Sequence, residues 1–245
     1  MGLLVALMTA ASAAFMASPA AAAICYYGAC FNYVSGSQSV SGTGAQVTMT
    51  VGQPRLSGGP SEHSLMELAI QGSNSNNVEV GWMVDPATFG DSRPHLFVYH
   101  WVNGQTSCYN GCGWRSSGSS SRAGMALQAG QSITVGIQNS AGDWWVSFNG
   151  TNIGYFPGSL WNNGFTRYNR VQAFGEVASR SGSACIGMGN GTWGSQSGAA
   201  SIRNYRLTGA SAQPGFSVSS TDPSLYNSGS VSRTSFALGG PGNCR

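Results

Sequence analysis

The chain has 245 residues, of which 41% are apolar and 11% aromatic, with 36 glycines and only 8% charged residues. That length suits one large two-sheet β domain, and the apolar share excludes a disordered chain despite the glycine content. The formal charge is +3 and the eleven basic residues are arginines scattered along the chain, so no stripe can follow a phosphate backbone and no nucleic-acid partner is expected.

In chain order, residues 1–23 (MGLLVALMTAASAAFMASPAAAA) are small and apolar and end in an Ala-x-Ala pattern at Ala21 to Ala23. This pattern predicts a secretory signal peptide removed before Ile24. Ser12, Ser18 and Pro19 interrupt the run, which argues against a retained membrane anchor. The expectation is a secreted, extracellular protein with no membrane association after cleavage. Residues 24–44 read as a short Gly/Ser-rich segment with a cysteine loop, and the main domain is expected over residues 45–245.

Beyond the signal no long stretch keeps a 3.6-residue period. Short alternating runs between Gly, Ser and Asn clusters instead predict strands at 45–51, 64–71, 77–84, 94–102, 131–138, 144–149, 151–156, 171–178 and 201–207. This pattern specifies an all-β sandwich of two antiparallel sheets. Asn149-Gly150 between two apolar runs predicts a hairpin with a type I′ turn. The polar segments 115–124 and 209–233 are expected to be surface loops.

All six cysteines follow the signal, and an even count fits an oxidising compartment. Cys25 and Cys30 form one close pair and Cys108 and Cys112 another, leaving Cys185 and Cys244; other connectivities stay open, since the pairing follows only a preference for short loops. Neither spacing is C-x-x-C, and His63, His95 and His100 follow no ligand pattern, so no metal site is expected.

Eight carboxylates are present. Asp85, Asp91, Asp143 and Asp222 fall in turns or at strand ends, where they satisfy nearby backbone donors. Glu62 sits in a loop, and Glu67, inside an alternating strand, is expected to face solvent. Glu79 and Glu176 differ because each lies in the middle of an apolar strand. Alternation puts Val78, Val80, Trp82 and Val84 on one face and Glu79, Gly81 and Met83 on the other, and groups Glu176 with Gln172 and Phe174. Such a carboxylate stands either on a solvated sheet face or in a cleft where burial raises its pKa. His95 and His100 point to opposite faces and cannot serve one nucleophile. Gly-x-Ser-x-Gly is absent and the paired cysteines leave no free thiol, which disfavours serine and cysteine peptidases.

The run VEVGWMVDPATFGDSRPHLFVYHWVNGQTSCYNGCGW (78–114) holds a Glu-x-Gly-Trp strand, a turn ending in Gly-Asp, an aromatic strand and a Cys-Tyr-Asn loop. With WWVSFNGTNIGYFPGSLW (144–161), FGEV (174–177), MGNG (188–191) and GGPGNC (239–244), it resembles the neprosin family over nearly all of residues 64–244. The resemblance implies a jelly-roll-like β-sandwich endopeptidase, monomeric and free of cofactors, that cuts polypeptides after proline with two glutamates. The matching motifs place those glutamates at Glu79 and Glu176. One, ionised, takes a proton from the attacking water while the other, protonated, donates to the carbonyl oxygen or leaving nitrogen. Neighbouring carboxyls push one pKa up and one down, which implies acid-shifted activity. Gln172, Tyr205 and the backbone around Gly175 are candidates for positioning the substrate, and Trp82, Trp101 and Trp145 for lining a proline-accepting groove. Leu225 stands where plant members carry a cysteine, which directs Cys244 to Cys185. Plant members also carry an N-terminal activation segment, for which about 40 residues between the expected cleavage point and the first matching strand leave no room, so the expectation is either an enzyme made without one or control exercised elsewhere. Two other functions compete. A non-catalytic secreted glycan- or protein-binding sandwich fits the composition equally well. A glycan-active enzyme is disfavoured, because the Glu-x-Asp-x-x-Glu cluster of sandwich glucanases is absent.

Overall fold

The computed structural model describes residues 23–26, 28–59, 61–181 and 184–244, so the expected signal peptide lies outside the described residues except for Ala23. The strands, in chain order, are β1 (Ile24–Tyr26), β2 (Ala29–Gly42), β3 (Gly44–Thr50), β4 (His63–Gln71), β5 (Asn77–Val84), β6 (His95–Trp101), β7 (Arg115–Ser116) and β8 (Ser132–Ser140). They continue with β9 (Asp143–Phe148), β10 (Thr151–Phe156), β11 (Tyr168–Ser179), β12 (Ala200–Thr208), β13 (Ser217–Ser220), β14 (Asn227–Gly229) and β15 (Phe236–Gly239). One sheet runs β1-β2-β11-β4-β5-β6, with β13 also paired to β2, and the other runs β14-β15-β12-β3-β8-β9-β10-β7.

The core lies between the two sheets, and the two-residue period of the strands fills it. Met66, Leu68 and Ile70 from β4 and Val78, Val80, Trp82 and Val84 from β5 join Val47 and Met49 from β3, Ile133, Val135 and Ile137 from β8, and Trp144 and Val146 from β9. Burying each such aliphatic side chain stabilises the fold by roughly 1.5–3 kcal/mol. The buried indoles keep their hydrogen bonds: Trp82 Nε1 donates to the Thr50 carbonyl at 2.9 Å and Trp144 Nε1 to that of Phe165 at 2.8 Å. The hairpin at Asn149-Gly150 forms as expected, with φ of 48° and 82° at the two turn residues and Phe148 opposite Thr151.

The boundary expected at residue 45 falls inside β3 of the second sheet, and the Gly/Ser-rich segment before it supplies β2 of the first. β2 pairs with β11 from Cys30 opposite Ser179 to Gly42 opposite Tyr168. Its small residues carry no strand signal of their own because bulk supplied by other strands fills the space beside them. A Cβ on Gly36 would lie 2.9 Å from the Phe216 ring. The segments expected as loops carry short strands: β7 pairs with β10, and β13 and β14 pair with β2 and β15. The three disulfides are Cys25–Cys30, Cys108–Cys112 and Cys185–Cys244, the pairing that short loops favour. The first closes the β1–β2 hairpin, the second clips a loop beyond β6, and the third ties down the C-terminus. Among the described residues, no helix is long and apolar enough to cross a membrane.

Candidate active site

The first sheet turns one face to the core and the other to an open cavity of about 910 Å³. Alternate residues of neighbouring strands line it: Phe31 and Tyr33 from β2, His63, Leu65 and Glu67 from β4, Asn77 and Glu79 from β5, Tyr99 and Trp101 from β6, and Gln172, Phe174 and Glu176 from β11. Beneath the cavity Leu65, Met83, Phe97 and Tyr99 make a second small apolar cluster, against which Tyr109 of the Cys108–Cys112 loop packs. That loop is fixed to β6, where Val98 N donates to Asn110 Oδ1 at 3.0 Å and Ser107 N donates to Tyr99 Oη at 2.8 Å.

Glu79 is gripped at one oxygen. Its Oε1 accepts from Asn77 Nδ2 at 2.7 Å and from Trp101 Nε1 at 2.9 Å, which leaves Oε2 available to carry a proton. Burial pushes the Glu79 carboxyl up to about 8; the charge of Glu176 adds to this, and the Trp101 N–H works in the opposite direction. Glu79 is therefore a carboxylic acid at neutral pH. Glu176 meets His63, with 2.7 Å between its Oε1 and His63 Nε2. Burial first, then the charge of Glu176, raises both Tyr33 and Tyr109 above the ordinary tyrosine range, so both remain hydroxyl donors.

Glu67 contradicts the expectation of a solvent-facing strand residue. It is 3% exposed, and its Oε1 is buried with no hydrogen-bond partner. Burial, followed by the charges of Glu79 and Glu176, raises its pKa well above the usual carboxylate value. Alternation identified its face correctly but could not show that neighbouring side chains cover that face.

Of the residues singled out by sequence, Glu79, Glu176, Trp101 and Gln172 meet at the cavity. Three expected binding residues are placed elsewhere. Trp82 is fully buried in the core between the sheets, because it shares the pleat of Val78, Val80 and Val84. Tyr205, 1% exposed, is also in that core and stacks on Phe216 at 4.0 Å. Trp145 lies on β9 of the other sheet, against Tyr155 at 4.6 Å. The backbone around Gly175 is paired on both sides, to β2 and β4, which leaves it no donor for a substrate. Sequence reasoning missed His63, Glu67 and Asn77; of these, only the period of β4 and β5 carried a signal, placing them on the face of Glu79.

The remaining ionisable groups are engaged elsewhere. Asp91 is held below its ordinary value by Arg93, whose guanidinium donates to it at 2.6 and 2.8 Å, and by His95. His100 lies on the core side against Phe156 and Trp161, where burial lowers its pKa to about 4. Among the described residues no group of three or more His, Cys, Asp or Glu side chains is arranged to hold a metal ion.

A family model described as Neprosin matches residues 60–241. Among solved structures, scytalido-glutamic peptidase bound to a transition state analog inhibitor superposes with a TM-score of 0.50 at 12% identity, over 84% of this chain and 97% of that one. Scytalido-glutamic peptidase with a peptide-based transition state analog gives a TM-score of 0.46 at 13% identity, over 84% and 97% of the two chains. SCP-B, an Eqolisin-family peptidase in complex with the tripeptide Ala-Ile-His, gives 0.44 at 12% identity, over 84% and 96%. At these identities the likeness concerns the fold.

Proposed function

The chain belongs to the Neprosin family, and from that premise we propose that it is a secreted glutamic endopeptidase hydrolysing peptide bonds on the C-terminal side of proline. The observation that carries this reading is the placement of Glu79 and Glu176 on one sheet face, lining one open cavity. In this reading Glu176, beside His63, is the base that takes a proton from water as it attacks the scissile carbonyl. Glu79, a carboxylic acid with two donors on Oε1, gives its proton to the carbonyl oxygen or the leaving nitrogen. The rings of Phe31, Phe174 and Trp101 offer flat apolar surface to a pyrrolidine ring. Because Glu79 must be protonated, activity falls as pH rises through about 8.

The same aromatic wall supports a second reading, a non-catalytic domain that binds glycan or protein. A proline-containing peptide library incubated with the protein from acid to neutral pH, beside Glu79→Gln and Glu176→Gln, separates the two. The peptidase reading expects cuts after proline that drop by at least about 10²-fold in each variant. No cleavage, or cleavage indifferent to both substitutions, would leave the binding domain.

A further inference from the structure

Glu67 on β4 stands opposite Gly81 on β5 and Phe174 on β11. Glu79 is two residues from Gly81, and Glu176 two from Phe174. Glu67 is thus the diagonal neighbour of both, at a backbone separation of about 7–8 Å that long side chains can bridge. Glu79 and Glu176 are not neighbours in this sense. They lie two strands apart, and the row of Glu79 runs through Ala69 to Gln172, four residues short of Glu176. Strand spacing and rise put their backbones about 16 Å apart, with Glu67 midway.

The surroundings of Glu67 fix its charge state. Sharing the cavity with it are Glu79 on β5, Glu176 and Arg170 on β11, His63 on β4, Tyr26 on β1, Tyr33 on β2, Tyr99 on β6 and Tyr109 of the clipped loop. Of these His63 and Arg170 can be cationic: His63 is against Glu176, and Arg170 is exposed opposite Gln71, four residues along β11 from Phe174, and makes no salt bridge to Glu67; the other salt bridges among the described residues join Asp91 to Arg93 and His95. An ionised carboxylate buried without a partner costs several kcal/mol, whereas the neutral acid costs less and supplies a donor. The packing also reserves room for this side chain. A Cβ at position 81 would lie 2.7 Å from Glu67 Cα and 2.8 Å from its Cβ, so the glycine of the Glu-x-Gly-Trp strand is what lets Glu67 sit there.

We propose that Glu67 is a third working carboxyl of the site, held between Glu79 and Glu176 as the un-ionised acid and donating its O–H to whichever of them carries the negative charge. It is a positioning residue: it fixes where the charge of the pair rests. The kinetic part of this proposal rests on the peptidase reading, and the spectroscopic part does not.

The test compares Glu67→Met, which fills the space without a donor, with Glu67→Gln, which keeps a donor but cannot ionise. Infrared spectra at neutral pH should lose one carboxylic-acid band in both variants; loss of a carboxylate band instead overturns the proposal. Without the donor, the Glu79 acid band, assigned with Glu79→Gln, should titrate about one pH unit higher in Glu67→Met and return toward the wild-type position in Glu67→Gln. With cleavage as the readout, kcat should fall about 10²-fold in Glu67→Met with KM little changed, and recover in part in Glu67→Gln. A mere space-filler predicts the reverse: Glu67→Met keeps or raises the Tm, and neither the titration nor kcat moves. A wild type that cleaves nothing would refute the peptidase reading alone, because the infrared titration still decides the place of Glu67.

Discussion

Trp101→Phe isolates one hydrogen bond of the site. The substitution keeps an aromatic ring beside Tyr99 but removes the Nε1–H that donates to Glu79 Oε1 at 2.9 Å, leaving Asn77 as the remaining donor. A donor favours the carboxylate over the acid, and Trp101 is the group holding the Glu79 pKa down against burial and the charge of Glu176. Removing it must therefore extend the acid form to higher pH. A hydrogen bond to an ionised acceptor exceeds one to its neutral form by about 1 kcal/mol, and 1.36 kcal/mol corresponds to one pKa unit. The alkaline limb of kcat/KM, expected near 8 in the wild type, should thus move up by about 0.7 of a unit. The assay is the pH profile of cleavage of a single proline-containing peptide by both proteins, with acid-side rates as the internal control. A limb that stays in place or moves down would refute the assignment of Glu79 as the acid.

Folding stability should run against the common trend. Between the unfolded carboxyl value of 4.5 and about 8, Glu79 keeps a proton that the unfolded chain releases, and Glu67 is raised in the same direction. Stability is then fully present below 4.5 and declines as pH rises, by up to about 1.4 kcal/mol per pH unit for each such carboxyl. Urea unfolding at pH 5 and pH 8 reads this, and Glu79→Gln should flatten the slope; a protein more stable at pH 8 contradicts it. Gly81→Ala would press a methyl group against Glu67 and the Met66 carbonyl and should cost about 1–3 kcal/mol, seen as a lower urea midpoint; an unchanged midpoint would show that the contact yields freely. Replacing Cys185 and Cys244 together by serine opens a loop spanning 59 residues and should cost about 4 kcal/mol in the chain-entropy account, while a loss below about 1 kcal/mol would count against it.

The sequence disclosed what depends on alternation and little that depends on neighbours. The runs of β4, β5, β6 and β11 alternate sharply, so their core faces and the opposite placement of Glu79 could be read directly. The sandwich and the Asn149-Gly150 turn followed from the same period and from turn chemistry. β2 escaped because Ser35, Gly36 and Ser37 carry no hydrophobic signal of their own; their place in the sheet is set by β11 on one side and β13 on the other. Glu67 was assigned to the correct face and the wrong environment, since a period of two distinguishes sides without revealing whether a side is wet. Trp82 and Tyr205 show the opposite error: both were weighed for their chemistry, though their strand positions had already committed them to the core.

The pairing of β2 with β11 also sets an order of assembly. Tyr33, near the start of the described chain, meets Glu176 only after the strands between them exist, so the sheet bearing all three glutamates is closed by contacts of very long sequence separation. Such topologies fold slowly, because loop-closure entropy must be overcome before the pairing rewards it. During synthesis β4 and β5 can form their hairpin early, but β2 must wait unpaired on its β11 side until β11 emerges. The cavity is therefore completed late, and a partly made or C-terminally truncated chain holds Glu67 and Glu79 without Glu176.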